Sequence, residues 1–158
     1  MDDLATQRAL PNELYETDFV EWTREQARLL RERRWDDLDL EHLIDEVESV
    51  GSSEKREIRN RLTKLISHLL KWKYQPGRRG SSWRATIRDQ RAQLAEIIED
   101  SPSLRSYVHR KALEQYPGGR IEAAEETGIA FGLLPDECPF SADQILDPEF
   151  LPEDRMIE

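Results

Sequence analysis

A stripe of apolar side chains at spacings of three and four residues occupies the middle of the chain. It consists of Ile58, Leu62, Leu65, Ile66, Leu69 and Leu70. In a helix of 3.6 residues per turn these positions share one face, whereas a strand would place them on two faces. The spacing therefore predicts a long amphipathic helix, and the rest of the chain must supply elements that cover its apolar face.

Capping and turn residues predict where this helix and its neighbours begin and end. We expect a helix over residues 18–33, opened by Asp18 and Glu21 as a capping box, and another over residues 38–50, ended by Gly51. The stripe helix is then expected from Ser52 or Ser53 to Trp72 or Tyr74. In the second helix a shorter stripe is expected to be buried: Leu40, Leu43, Ile44 and Val47.

The second half of the chain continues the helical pattern. We expect helices over residues 81–100, from Ser101-Pro102 to just before Pro117-Gly118-Gly119, over residues 120–128, and in the tail behind the capping box of Ser141 and Gln144. No segment has the alternation of a strand. The predicted fold is therefore all-α, an irregular antiparallel bundle of about six or seven helices with a Pro-punctuated C-terminal tail.

Length and composition favour one domain in a reducing compartment. A chain of 158 residues buries about 70% of its unfolded surface, which is enough for one core. We expect a loose arm over residues 1–14, a single domain over residues 15–152 and a tail over residues 153–158. The single cysteine, Cys138, excludes an internal disulfide, and neither a signal peptide nor a membrane span is recognisable. These features predict a cytoplasmic protein.

Charge is distributed in three blocks. Residues 1–54 carry a net charge of −10, residues 55–91 carry +10 and residues 92–158 carry −10, so the whole chain has a net charge of −10. A negative total argues against general affinity for nucleic acid. The basic block coincides with the predicted hairpin between the stripe helix and the next helix, which makes that hairpin the candidate functional face.

Basic and aromatic side chains are grouped on the hairpin. The candidate anion- or partner-binding residues are His68, Lys71, Trp72, Arg78, Arg79, Trp83, Arg84 and Arg88. Helical spacing places Arg61 and Lys64 on the same face as His68 and Lys71, and Arg91 on the face of Arg84 and Arg88. Guanidinium forks suit carboxylates and phosphates, and flat aromatic rings suit burial against a partner.

Several interpretations of this hairpin compete. The acidic remainder of the chain, in particular the first two predicted helices, or the acidic surface of a second subunit can neutralise the hairpin. Alternatively it binds nucleic acid, with the aromatic rings stacking on bases, or it binds a small anion. We interpret the chain as a protein-interaction module that recognises an acidic partner, either an unidentified protein or another copy of itself. Nothing in the sequence predicts a membrane partner.

Catalytic and metal signals are weak. His42, Asp45 and Glu46 share a helical face at i, i+3 and i+4, which makes them weak metal-ligand candidates. A metal-dependent hydrolase or other small-molecule enzyme is therefore the remaining alternative. However, the chain lacks a Glu-x-x-His pair, a phosphate-binding glycine loop and a nucleophile elbow. The sequence predicts no catalytic residue, no metal and no cofactor.

A set of collinear motifs resembles one known family. The matching segments are residues 18–19, 22–23, 38–51, 53–56, 68–72, 75–76, 82–88, 138–140, 144–147 and 150–152. They include Asp18-Phe19, His68-Leu69-Leu70-Lys71-Trp72 and Cys138-Pro139-Phe140. In these residues the chain resembles the bacterial domain-of-unknown-function 29 family over about residues 15–152. The resemblance implies an all-helical domain, and it implies no activity or site residues.

Overall fold

The computed structural model describes the backbone of residues 11–153 and the side chains of residues 13–153. These residues form seven α-helices joined by loops and short 3-10 turns, and they contain no strand. The predicted all-α class and helix number are therefore confirmed. The chain divides into two compact units, Met1–Ser52 and Ser53–Glu158. In the described part of the chain, no helix is both long and apolar enough to cross a membrane.

The first unit contains α1 (Pro11–Thr17), α2 (Phe19–Arg31) and the beginning of α3 (Leu40–Tyr74). The predicted cap of α2 is present, because the Asp18 carboxylate accepts a hydrogen bond from the Glu21 backbone N–H at 3.0 Å. Trp22 and Leu29 of α2 are buried. Helix α1 includes residues 11–14, which we expected in a loose arm, while residues 1–10 and 154–158 lie outside the described residues.

Helix α3 is continuous over 35 residues, so the predicted stop at Gly51 is wrong. Glycine ends a helix when it adopts a positive φ, and among the described glycines only Gly128 does so. Gly51 instead continues the helix. Its surroundings are open, since a Cβ there would meet no atom within 4 Å.

The prediction that the apolar stripe at the beginning of α3 is buried is also wrong. The exposed fractions are 60% for Leu40, 49% for Ile44 and 71% for Val47. Only Leu43 of that set is half-buried. The side of α3 that packs within the first unit carries His42 and Glu46 instead, because Tyr15 of α1 contacts both of them.

The second unit is built around the rest of α3. All six residues of the long stripe, Ile58 to Leu70, have an exposed fraction of 0%, which confirms that prediction. Helix α4 (Ser81–Asp100) contributes Ile87 and Leu94 to this core, and α5 (Arg105–Glu114) contributes Val108 and Ala112. Burial of such a stripe stabilises the unit by about 25 cal/mol per Å² of apolar surface removed from water.

Helix α6 (Tyr116–Thr127) begins earlier than expected. Pro117-Gly118-Gly119 was predicted to be a break, but the proline stands in the first turn, where its missing N–H has no helical partner to lose. Gly119 lies against α3, since a Cβ on it would be 2.6 Å from Ile66 Cγ2. The helix ends at Gly128, which adopts the left-handed conformation with φ of 74°.

The C-terminal segment forms α7 (Ala142–Leu146) behind the predicted capping box of Ser141 and Gln144. Phe140 and Ile145, on either side of that cap, are both buried. Arg91 of α4 binds this segment through hydrogen bonds to backbone carbonyl oxygens. The expectation of a single domain over residues 15–152 stays a prediction.

Candidate partner-binding surface

The candidate residues come from three consecutive parts of the hairpin. His68, Lys71 and Trp72 stand in the last turns of α3, Arg78 and Arg79 in the connection that contains the 3-10 turn Pro76–Arg78, and Trp83, Arg84 and Arg88 at the beginning of α4. Pro76 opens the turn, and the Arg79 N–H donates to its carbonyl. The hairpin thus brings these three groups to one end of two helices.

The candidates on α3 are buried within the second unit. His68 has an exposed fraction of 7%, Lys71 of 5% and Trp72 of 8%. Long charged side chains are rarely buried without a partner. These three residues were expected on a binding surface, and the structure places them inside the protein instead.

Lys71 forms an ion pair with a residue that the sequence analysis did not identify. Its Nζ donates to Glu126 Oε2 of α6 at 2.5 Å and lies 5.4 Å from the centroid of the Trp83 ring. The hydrogen bond from Lys71 lowers the pKa of Glu126. Lys71 is therefore neutralised internally, as one of the competing interpretations required, although the carboxylate comes from α6.

His68 is neutralised by a different cause. Burial lowers the pKa of its imidazole below the ordinary value of 6.5, and the nearby Lys71 acts in the same direction. Its Nδ1 lies 2.9 Å from the Lys64 carbonyl oxygen, which fits a donated hydrogen bond. The folded protein consequently favours a neutral His68, which makes this histidine unsuited to attract an anion.

Trp72 organises two of the arginines. The guanidinium carbons of Arg79 and Arg84 lie 5.4 Å and 5.5 Å from the centroid of its ring. Arg79 Nε also donates to the Trp72 carbonyl oxygen at 2.7 Å. Cation–π contacts of this length hold an arginine in place without neutralising its charge.

The exposed candidates are arginines. Arg78, Arg84 and Arg88 are exposed, and we call these three residues the arginine surface, whereas Arg79 is half-buried. Arg88 is 77% exposed and approaches the carboxylate of its neighbour Asp89 at 3.5 Å. Within the described residues, Arg78 and Arg84 form no ion pair.

Arg61 and Lys64, the other basic residues predicted on the face of His68, lie apart from the arginine surface. Arg61 pairs with Glu57 of its own helix and donates to Gln90 of α4 at 3.3 Å. These residues line a shallow groove of about 530 Å³ together with Ser53, Arg56, Asn60 and Lys64. The groove is distinct from the arginine surface, since none of its lining residues belongs to that set.

Arg91 is buried rather than exposed beside Arg84 and Arg88. Its guanidinium donates to the carbonyl oxygens of Gln144, Ile145 and Phe150 at 2.7–3.1 Å. Burial lowers the pKa of Arg91 to about 10, so the side chain remains charged at neutral pH. Arg91 therefore binds the C-terminal segment to α4 and is not part of a surface site.

The weak metal candidates serve local structure. His42 Nδ1 lies 2.8 Å from Asp39 Oδ2, and the His42 ring stacks on Tyr15 with centroids 3.8 Å apart. Glu46 accepts a hydrogen bond from the Tyr15 hydroxyl at 2.7 Å, which raises the pKa of Tyr15 to about 12. Asp45 is exposed. In residues 13–153 no three His, Cys, Asp or Glu side chains are grouped so that they could hold a metal ion.

Asp39, which directly precedes α3, is joined to α2 by hydrogen bonds. Its carboxylate accepts from Trp22 Nε1 at 3.0 Å, and its backbone N–H donates to the Gln26 side chain at 2.8 Å. Asp39 is 6% exposed, and a buried carboxylate requires such partners. The contact with Asp39 raises the pKa of His42.

Cys138 shows no sign of an activated nucleophile. The residue is half-buried, and burial raises the pKa of its thiol. A reactive cysteine needs the opposite shift, because the thiolate is the attacking species.

Comparison with known proteins gives one match. The family described as Domain of unknown function DUF29 matches residues 14–151. Neither a curated protein nor a solved structure matches the chain significantly. The family match covers most of the chain and agrees with the collinear motifs and the all-helical fold. The chain therefore belongs to the family of the domain of unknown function DUF29.

Proposed function

We propose that this chain is a cytoplasmic protein-interaction domain whose arginine surface binds an acidic segment of a partner protein. The partner supplies carboxylates to Arg78, Arg84 and Arg88. Guanidinium groups pair with carboxylates through two parallel hydrogen bonds, which gives the contact a defined geometry. Charge complementarity of this kind contributes partner choice and association rate more than affinity.

The position of Arg84 is the observation that carries the proposal. Its guanidinium lies 5.5 Å from the centroid of the Trp72 ring, the residue is exposed, and it forms no ion pair among the described residues. An arginine restrained in this way loses little conformational entropy when it binds. Arg88, one helical turn further along α4, extends the same face.

A protein partner is favoured over nucleic acid by the state of the two tryptophans. Trp72 is 8% exposed and is in contact with Arg79 and Arg84, while the Trp83 ring is in contact with Lys71. Stacking on a base requires an open ring face.

The proposal is tested with a labelled polyglutamate peptide as a stand-in for an acidic segment. Fluorescence anisotropy measures its affinity for the wild type and for the triple variant Arg78→Ala, Arg84→Ala and Arg88→Ala. We expect the variant to bind about 3- to 150-fold more weakly, since three exposed charge pairs at about 0.2–1 kcal/mol each contribute about 0.6–3 kcal/mol together. Raising the salt concentration should weaken the wild-type complex.

A control variant distinguishes a localised binding site from nonspecific electrostatic attraction. Arg56→Ala, Arg105→Ala and Arg110→Ala together remove the same charge from exposed positions of the same unit, and they should leave the affinity nearly unchanged. Equal losses in both variants would contradict a localised site. Tighter binding of a DNA or RNA oligonucleotide of matched charge, lost in the first variant, would favour the nucleic-acid interpretation instead.

A further inference from the structure

The first unit presents an apolar row that remains exposed among the described residues of that unit. Leu40, Ile44 and Val47 follow the spacing i, i+4 and i+7 on α3 and are exposed by 60%, 49% and 71%. Val50, which is 66% exposed, and the half-buried Leu43 extend the row on one side. Isolated exposed apolar residues are ordinary, whereas a continuous row on one helix marks an interaction surface.

Packing within the unit does not need this row. Tyr15 contacts His42 through ring stacking and Glu46 through a hydrogen bond. These two residues are one turn apart and lie on a face of α3 different from that of Ile44. Helix α3 therefore uses one face for the fold of the unit and leaves the apolar row available.

An acidic row runs directly beside the apolar row. Glu41, Asp45 and Glu48 each follow an apolar residue by one position, and all three are exposed. None of them forms an ion pair among the described residues. Residues 13–52 carry 13 acidic and 5 basic side chains, a net charge of −8. The surroundings of the apolar row are thus strongly negative.

We infer that this face of α3 binds a basic amphipathic helix of a partner protein, with an apolar row flanked by lysine or arginine. Burial of Leu40, Ile44 and Val47 supplies the affinity, and the acidic row pairs with the partner's cations and fixes its orientation. A second copy of the same face is a poorer occupant. It would match the apolar row, but it would place carboxylates against carboxylates.

The test uses two labelled synthetic peptides of about 20 residues, long enough to form a helix. Both have leucine at the a and d positions of a heptad; one has lysine at the flanking positions and the other glutamate. Anisotropy titrations should give saturable binding of the lysine peptide to the wild type. The glutamate peptide is titrated into the triple arginine variant, which lacks the arginine surface, and it should not bind there. The double variant Ile44→Ser and Val47→Ser should bind the lysine peptide at least about tenfold more weakly.

Two controls make the result decisive. The double variant keeps the charge of the wild type, so unchanged affinity would mean nonspecific attraction and would overturn the inference. Val20→Ser with Leu133→Ser removes equally exposed apolar groups elsewhere, which are 58% and 73% exposed, and should have little effect. Circular dichroism should show the same helix content for all variants.

Self-association is the remaining outcome. If sedimentation shows that the wild type is a dimer and the Ile44, Val47 variant is a monomer, the occupant is a second copy and the proposed basic helix is wrong. The arginine surface is not involved in this inference. The triple arginine variant should therefore bind the lysine peptide as the wild type does, which separates failure here from failure of the proposed function.

Discussion

Cationic side chains from the same basic block of the sequence have different roles in the folded protein. Lys71 and Arg84 both belong to the basic block, and both contact an aromatic ring. Lys71 can be buried because the carboxylate of Glu126, 55 residues further along the chain, accepts a hydrogen bond from its ammonium group. Arg84 meets no such carboxylate among residues 13–153 and remains exposed. The identity of the long-range partner therefore decides whether a cation stabilises the fold or is available to bind.

The two histidines with shifted pKa values should affect stability in opposite directions. For His42 the folded pKa is raised above 6.5. The contribution of His42 to the stability of the folded protein is present below pH 6.5 and disappears as the pH rises through the folded pKa. For His68 the folded pKa is lowered, so its contribution is present above pH 6.5 and is lost as the pH falls to the folded pKa.

This difference can be measured with His42→Gln and His68→Gln by urea unfolding between about pH 5 and pH 8. The stability advantage of the wild type over His42→Gln should be larger at the acidic end. Its advantage over His68→Gln should be larger at the alkaline end. The same pH trend for both variants would contradict the assigned environments.

At the scale of the element, α3 persists through Gly51 because its flanks favour helix on both sides. A glycine inside a helix costs about 1 kcal/mol relative to alanine. Gly51→Ala places a methyl group in open space at a helical position. We expect it to stabilise the protein by about 0.5–1 kcal/mol. Denaturant unfolding that shows no gain, or a loss, would mean that Gly51 ends or bends the helix after all.

In helix α6, unlike in α3, replacing a glycine by alanine should destabilise the protein. A Cβ at Gly119 would be 2.6 Å from Ile66 Cγ2 and 3.1 Å from the Thr63 carbonyl oxygen. Gly119→Ala should therefore destabilise the second unit, by about 1–3 kcal/mol as in other overpacked sites. Gly118→Ala is the matched control, because its nearest contact would be 3.4 Å. Equal melting temperatures for the two variants would show that α6 does not approach α3 this closely.

The sequence predicted those elements that depend on local signals. Asp18 and Ser141 cap helices through residues three positions away, and the stripe from Ile58 to Leu70 needs only its own spacing. Local signals failed where a distant contact decides the outcome. Pro117-Gly118-Gly119 resembles a turn, yet α3 requires glycine there for close approach, and Arg91 resembles a surface arginine until the C-terminal carbonyls are placed around it.

The dependence on distant contacts made the candidate site harder to predict from the sequence than the helices were. The sequence identified the hairpin and the arginines that remain exposed on it. It could not distinguish them from Lys71 and His68, because the burial of those two residues depends on α6. The apolar row of Leu40, Ile44 and Val47 was recognised as a stripe and was assigned to the core, since spacing alone does not indicate what covers a face.

At the scale of the whole molecule, the three charge blocks are only partly used within the fold. In the basic block, Lys71 pairs with Glu126, Arg61 with Glu57, and Arg91 binds backbone carbonyls. The arginine surface is the part of that block that remains exposed at the end of the hairpin. Our central claim is that this remainder, and not the buried lysine, histidine and tryptophan, recognises an acidic partner.

Chemical-shift mapping tests this claim most directly. Unlabelled polyglutamate peptide is titrated into ¹⁵N-labelled wild-type protein, and the backbone amide and arginine Nε–Hε signals are followed. We predict saturable shifts that are largest in residues 78–88, including the Arg84 side chain. Largest shifts in the groove over residues 53–64, or changes spread over the chain without saturation, would contradict it.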